Sequence, residues 1–378
     1  MNDRAVAVFD KYDLEIFSTR KGRGMLIAGT NLGEVALREY SGSEEKLEWQ
    51  EAFTNGLKSH GFSYVDGLFR DRQGNLIVSD YEGIRYIVKE YLTGKECNVM
   101  DQAECILAVK QMARMHCAIR EMMKEPFYIR RKVEMEECTA LKPEGEARAA
   151  EEEKRPPLYE KIPVEQVEKL CDITNRTRPG FLRYESEKRK SELIRARQFI
   201  RKQPCKNDFD LLFLKEFDRF MEQVEAADDY LSGAEYEELE EYVKRERLYC
   251  HGDCNHHNIL LNGGKVYIQN LERCRPDLQV KDLYLFVRKA CEKNKWSFSF
   301  GKACIDAYHK ELPLTGEELK YLYTRFYYPE KFWKVANGYM NHRKSLPPKR
   351  QKEKLEALLS MEEGRGRFLE EFKAVYQI

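Results

Sequence analysis

Residues 248–272 constrain this chain more than any other stretch. Leu248-Tyr249-Cys250-His251-Gly252-Asp253 is an apolar-ended segment closing on His-Gly-Asp, and Asn258 follows five residues after Asp253. Ile259-Leu260-Leu261, Asn262-Gly263-Gly264 and Lys265-Val266-Tyr267-Ile268 then read as strand, turn and strand, because a Gly-Gly pair supplies the backbone conformations of a tight hairpin. Asn270 and Glu272 stand just beyond the second strand.

The spacing is that of a phosphotransferase catalytic loop. There an Asp accepts the substrate hydroxyl proton, an Asn binds magnesium, and an Asp after the next strand holds the metal that bridges the phosphates. Asp253 and Asn258 fill the first two roles, and the third position holds Asn270. Zinc is the competing reading, since His251, His256 and His257 lie beside Cys250 and Cys254, and both residue types bind it. No paired CxxC or HxxxH spacing supports it, whereas the strand, turn and strand that follow are the context the catalytic loop requires.

A length of 378 residues suffices for two lobes and a sizeable core. With 65 basic and 65 acidic residues, no global field directs the chain to nucleic acid or to an anionic membrane. No signal peptide and no transmembrane run are read from it. Eleven cysteines without framework spacing fit synthesis in a reducing interior, where they serve as small apolar residues. Later cross-linking in an oxidising assembly stays open.

Residues 1–92 read as a small β-rich lobe. Met25–Thr30 and Glu34–Tyr40 flank Asn31-Leu32-Gly33 as a hairpin, the place where a kinase would cover its nucleotide, but no GxGxxG is present. A helix is expected over about Ser43–Ser59, capped by Ser41 or Ser43, with Trp49, Ala52, Phe53, Gly56 and Leu57 on one apolar stripe. Its Glu45, Glu48 and Glu51 are either candidates to meet a basic residue on the preceding strand or a solvated acidic face. Short strands at Gly67–Arg70 and Leu76–Ser79 precede Arg85–Leu92, which ends where a kinase hinge would lie. Glu90 and Leu92 are therefore the candidate nucleotide contacts there.

Residues 93–378 read as a helical lobe. A helix over Asp101–Arg120 carries His116, expected to be a hydrogen-bonded core histidine. A charged insertion spans about 125–207, with Lys142–Pro157 as an exposed excursion and Lys161–Ile173 and Tyr184–Lys202 as helices. Phe209–Asp229 and Glu235–Arg245 are helices leading into the loop at 250–272. Beyond it come Asp282–Cys291, Phe300–Lys310, Thr315–Phe326, Glu330–Arg343 and Lys349–Val375. Their aromatic residues Tyr321, Tyr323, Phe326, Tyr327, Phe332 and Trp333 are expected in the core, and Asp282 is expected to bond backbone near the loop.

Several further segments carry a family resemblance: Thr30-Asn31-Leu32-Gly33-Glu34-Val35-Ala36-Leu37-Arg38, Leu57-Lys58-Ser59-His60-Gly61-Phe62 and Asp208-Phe209-Asp210-Leu211-Leu212-Phe213-Leu214-Lys215. Arg273-Cys274-Arg275-Pro276-Asp277-Leu278, Tyr328-Pro329-Glu330-Lys331-Phe332-Trp333 and Phe368-Leu369-Glu370-Glu371-Phe372 join them, in order along nearly the whole chain. Together they resemble the CotS family of bacterial spore coat proteins, a branch of the aminoglycoside-phosphotransferase-like group with a protein-kinase-like fold. The resemblance implies an α+β, bilobal fold, expression in a sporulating mother cell, a place in the spore coat and other coat proteins as partners.

Two positions depart from the pattern that the resemblance implies. Arg38 stands where a third-strand Lys would hold nucleotide phosphates, and Arg is planar and bulkier, so the exchange is not conservative at a shaped site. Asn270 replaces the metal-binding Asp and removes a full charge from a site for a divalent cation that favours carboxylates. Glu272 matches the second acidic residue of the family's Asp-Phe-Asp. The expectation is a scaffolding pseudokinase. The alternative is an ATP- and Mg2+-dependent phosphotransferase with Asp253 as base, Asn258 with Asn270 or Glu272 at the metal, and Arg38 on phosphate.

Overall fold

The computed structural model describes residues 3–124, 127–130, 159–162, 182–341 and 348–378. Their contacts gather into two compact units. The first joins Met1–Lys95 to Ala118–Thr177 and Leu260–Glu272, and the second comprises Glu96–Cys117, Arg178–Ile259 and Arg273–Ile378.

The first unit is built on an antiparallel sheet. Its strands are β1 (Ile16–Gly22), β2 (Met25–Thr30), β3 (Gly33–Glu39), β4 (Leu68–Phe69), β5 (Val78–Ser79) and β6 (Arg85–Glu90). They lie in the order β1-β2-β3-β6-β4, with β5 also on β6. Alternation along the strands sends Leu26, Ala28, Val35, Leu37, Tyr86 and Val88 to one face. There they pack with Ala5, Val8, Phe9 and Tyr12, from the short helix α1 (Asp3–Val8) and the turn after it. Ile87 faces the other way and packs with Leu47 of α2 (Glu44–Ser59). Arg38 pairs across the strands with Ile87, and Lys89 with Ala36. Parity therefore puts Arg38 and Lys89 on the α2 side of the sheet.

Ser43 caps α2 by accepting from the Lys46 N–H, and Trp49, Ala52, Phe53 and Leu57 are buried as the stripe requires. Glu48 and Glu51 do not meet Arg38. Both hold the buried Arg70, whose Nη2 donates to Glu48 at 2.8 Å and whose Nε donates to Glu51 at 2.9 Å. Glu48 and Glu51 are thus neither solvated nor turned to the third strand, because a guanidinium on the β4 side supplies the charge, whereas Glu45 is solvent-exposed.

Helix α1, strand β1 and the pair of strands at 127–130 and 159–162 escape the sequence reading. Strand β1 is exposed on both faces along its middle residues, Phe17 included, and shows no alternation. It makes the hairpin read as a nucleotide cover the second of two, and the strand bearing Arg38 the third. Strands β7 (Phe127–Arg130) and β8 (Tyr159–Ile162) pair antiparallel. The latter takes the first two residues of the helix expected at Lys161–Ile173. The rest of that helix, and Lys142–Pro157, lie outside the described residues.

After α3 (Gln102–Met122), the second unit is helical: α4 (Leu182–Lys202), α5 (Asp208–Leu231), α6 (Ala234–Arg245), α7 (Val280–Lys293), α8 (Phe298–Glu311), α9 (Gly316–Tyr327), α10 (Glu330–Asn341), α11 (Pro348–Leu359) and α12 (Glu362–Tyr376). Helix α5 opens with a capping box between Asn207 and Asp210. Its Phe209, Phe213, Phe217 and Phe220 join Leu193 and Ile200 of α4, Phe332 and Tyr339 of α10, and Leu355 of α11 in one core. Phe332 stacks on Phe213 at 5.1 Å and on Phe220 at 4.2 Å. The aromatic residues expected in the core are buried or half-buried. The single helix expected over Lys349–Val375 is two, interrupted at Ser360 and Met361 without the Gly or Pro that would announce the break.

Candidate functional site

The Asp253 loop belongs to the second unit. Strand β9 (Tyr249–Cys250) pairs with β12 (Arg275–Pro276), and the chain leaves it through Gly252 at φ +79°. A Cβ at Gly252 would lie 2.3 Å from the Arg273 carbonyl oxygen, so only glycine fits there. Asp282, fully buried in the first turn of α7, accepts from the His251 N–H at 2.6 Å and the Gly252 N–H at 3.0 Å. His116 bonds the same carboxylate at 3.1 Å and reaches Tyr308 with its other ring nitrogen at 2.7 Å. Burial opposes the charge on Asp282, but His116, His251 and its backbone N–H outweigh that and hold the carboxyl below its usual range. Both expectations, a core His116 and a backbone-holding Asp282, describe what is seen.

This clamp presents Asp253. Its Oδ1 accepts from Asn255 Nδ2 at 2.9 Å, and its backbone oxygen accepts from Asn258 Nδ2 at 2.8 Å. Asp253 is 38% exposed in its side chain, and Arg273 lies 3.7 Å away. The loop therefore has a carboxylate open to solvent on a backbone fixed from below.

The remaining candidates belong to the first unit. Strand β10 (Ile259–Asn262) turns at Gly263 and Gly264, both at positive φ, into β11 (Lys265–Ile268). The Ile268 N–H donates to the Tyr64 carbonyl at 2.9 Å, which ties this hairpin to the segment carrying Asp66. Beyond β11, Asn270 adopts φ +67°, a conformation Asn tolerates better than most residues. Its N–H donates to Asp66 Oδ1 at 2.9 Å, and its side-chain oxygen accepts from Lys89 Nζ at 2.5 Å. Lys89 Nζ also donates to Asp66 Oδ2 at 2.7 Å, with Asp66 and Lys89 both buried.

Glu272 is engaged in the same manner. Arg38 Nη2 donates to Glu272 Oε2 at 2.9 Å, and Nη1 lies 2.6 Å from Oε1, a two-pronged ion pair. Glu90 accepts from Lys58 Nζ at 3.0 Å and from the Gly67 N–H at 2.8 Å, while Leu92 is half-buried just past β6. The sequence reading missed Lys89 and Asp66. The available signal was a lysine directly after three apolar strand residues, Tyr86-Ile87-Val88, where burial of its ammonium demands a partner.

Magnesium needs oxygen ligands at close range in near-octahedral array. The first unit does not fit that need, because the Asn270 oxygen faces an ammonium and the Glu272 carboxylate a guanidinium. Among the described residues, no group of three or more His, Cys, Asp or Glu side chains is arranged to hold a metal ion.

Residues 186–372 match the model of the family described as "Spore coat putative kinase YutH". The aminoglycoside phosphotransferase of Alicyclobacillus acidocaldarius superposes with a TM-score of 0.75 at 15% identity, over 98% of this chain and 96% of that one. Over residues 186–372 this chain is similar to the kinase-like spore coat proteins. Spore coat protein S of Bacillus subtilis (strain 168) is 23% identical over 171 residues, 45% of this chain and 49% of that protein. The match thus spans about half the length of the curated relative. Spectinomycin phosphotransferase APH(9)-Ia, solved with ADP and spectinomycin, shares the fold with a TM-score of 0.56 at 10% identity, over 100% of this chain and 98% of that one. The kinase-like fold of this chain combines a small strand-rich N-terminal region with a mostly helical C-terminal part. Among its described residues, no helix is long and apolar enough to cross a membrane.

Proposed function

We propose that this protein is a structural component of the spore coat, a pseudokinase that scaffolds coat assembly rather than transferring phosphate. It is made in the mother cell and then held in the coat by other coat proteins. One observation carries the reading: Asn270 and Glu272, the residues left to hold a metal in the first unit, are each bonded to a cation of that unit, Lys89 and Arg38. The same pairing occupies Arg38, the residue proposed for nucleotide phosphate. A phosphotransferase that must neutralise the charge developing on a transferred phosphoryl group depends on such groups being available.

The alternative is an ATP- and Mg2+-dependent phosphotransferase acting on a small-molecule or coat-associated hydroxyl. What favours it is the Asp253 loop, where the clamp by Asp282 and the bond from Asn258 keep a carboxylate presented as a base requires. Asn258 would then be its metal ligand, and Glu90 and Leu92 would contact the nucleotide. The deciding experiment follows ATP consumption by the full-length protein with and without Mg2+, for the wild type and for Asp253→Ala. Equal, background-level turnover in both is expected, together with unchanged coat localisation of a fluorescent Asp253→Ala fusion in sporulating cells. Mg2+-dependent turnover that Asp253→Ala abolishes would establish the phosphotransferase instead.

A further inference from the structure

The position of Lys89 explains more than a weakened site. Strand β6 is interior to the sheet, with Lys89 opposite Ala36 on one side and Leu68 on the other, so its backbone is held from both edges. The side chain is 6% exposed, and Asp66, at 1%, commits one carboxylate oxygen to the ammonium and the other to the Asn270 N–H. Three residues from separate parts of the first unit thus close a ring of hydrogen bonds around one positive charge. Asn270, at the position expected to face a metal, completes that ring with its side-chain oxygen.

We infer that Lys89 is the resident cation of this site, an ammonium in the place of a divalent metal, and that it excludes the metal whether residue 270 is Asn or Asp. The inference rests on the disarmed reading of Asn270 and extends it by naming what must be removed. A carboxylate at 270 would meet the ammonium at the distance the amide oxygen now does and form an ion pair with it. The added charge is thereby consumed within the protein, and a divalent ion would still have to sit against a fixed like charge. Removing Lys89 reverses this, because Asp66 then offers a second carboxylate beside residue 270.

The test uses Mn2+ alone as the probe, by titration calorimetry, with melting temperature and far-UV circular dichroism read on the same samples. Wild type and Asn270→Asp are expected to bind no Mn2+ tightly. Lys89→Met with Asn270→Asp is expected to gain one saturable site and an upward shift in melting temperature with Mn2+. Since that variant buries two neighbouring carboxylates, Lys89→Met alone, which leaves Asp66 as the one carboxylate beside the Asn270 amide oxygen, serves as a better-folded companion expected to bind Mn2+ more weakly. Mn2+ binding by Asn270→Asp alone would overturn the role of Lys89 and leave the disarmed reading intact. Failure of both Lys89→Met and the double variant to bind, while folded, would overturn it as well. Saturable binding by the wild type that Asn270→Ala removes would sink the disarmed reading itself.

Discussion

Glu330 shows how much a single buried carboxylate organises. It accepts from the Tyr284 hydroxyl at 3.0 Å and Arg325 Nη2 at 3.1 Å, and Arg325 also lies over the Tyr284 ring. Burial pushes its pKa up, but Arg325, Arg288 and Lys334 outweigh burial and hold it well below the carboxylate range. Glu330→Gln leaves buried guanidinium charge uncompensated, and a loss of about 3–5 kcal/mol in urea unfolding is expected. A depressed folded pKa means stability that is complete above the ordinary carboxylate pKa and is lost as pH falls through the folded value. Wild-type stability should therefore decline on acidification, with Asp282 contributing in the same sense, and Glu330→Gln should flatten that decline. The residue scale was partly legible in the sequence. Asp253, Asn258 and Asn270 could be named from spacing, and Asp282 from its place at a helix start. Lys89 could not be assigned a partner, because Asp66 lies in a loop with no periodicity and Asn270 is far along the chain.

At the scale of elements, packing decides more than propensity. Phe332 lies between Phe213 and Phe220 at the meeting of α5 and α10, and Phe332→Ala should cost about 3–5 kcal/mol by thermal or urea unfolding. By contrast, Ser43→Ala removes one capping bond at the start of α2 and should cost only about 1 kcal/mol. Comparing the two separates a buried aromatic stack from a surface cap by the same measurement. Helices with strong apolar stripes, such as α2 and α5, were readable in place, since their period is set by burial on one face. Strand β1 was not, because exposure on both faces removes the alternation a strand shows. The break between α11 and α12 was also hidden, because tertiary packing rather than a Gly or Pro bends the chain there.

For the whole molecule, a balanced charge leaves recognition to local surfaces, and the cysteines follow the same rule of burial. Among those described, Cys205 is exposed and Cys117 half-buried, while Cys97, Cys105, Cys250, Cys254, Cys274, Cys291 and Cys304 are buried. Burial also pushes the Cys250 and Cys254 thiols well up, which withholds the reactive thiolate. Alkylation of the native protein followed by peptide mapping should label Cys205 well before any of the buried set, and fast labelling of Cys250 or Cys254 would contradict the packing of the Asp253 loop. The bond from Lys89 to Asn270 also bears on how such a protein can change over generations. One substitution at 270 would turn a hydrogen bond into an ion pair and hold the present arrangement more firmly. A second, at 89, is needed before a carboxylate there has anything to offer a metal, and taken first that step would strand the buried Asp66 without its counter-charge. Each single move therefore either tightens the present arrangement or passes through a less stable fold, so the arrangement resists stepwise change.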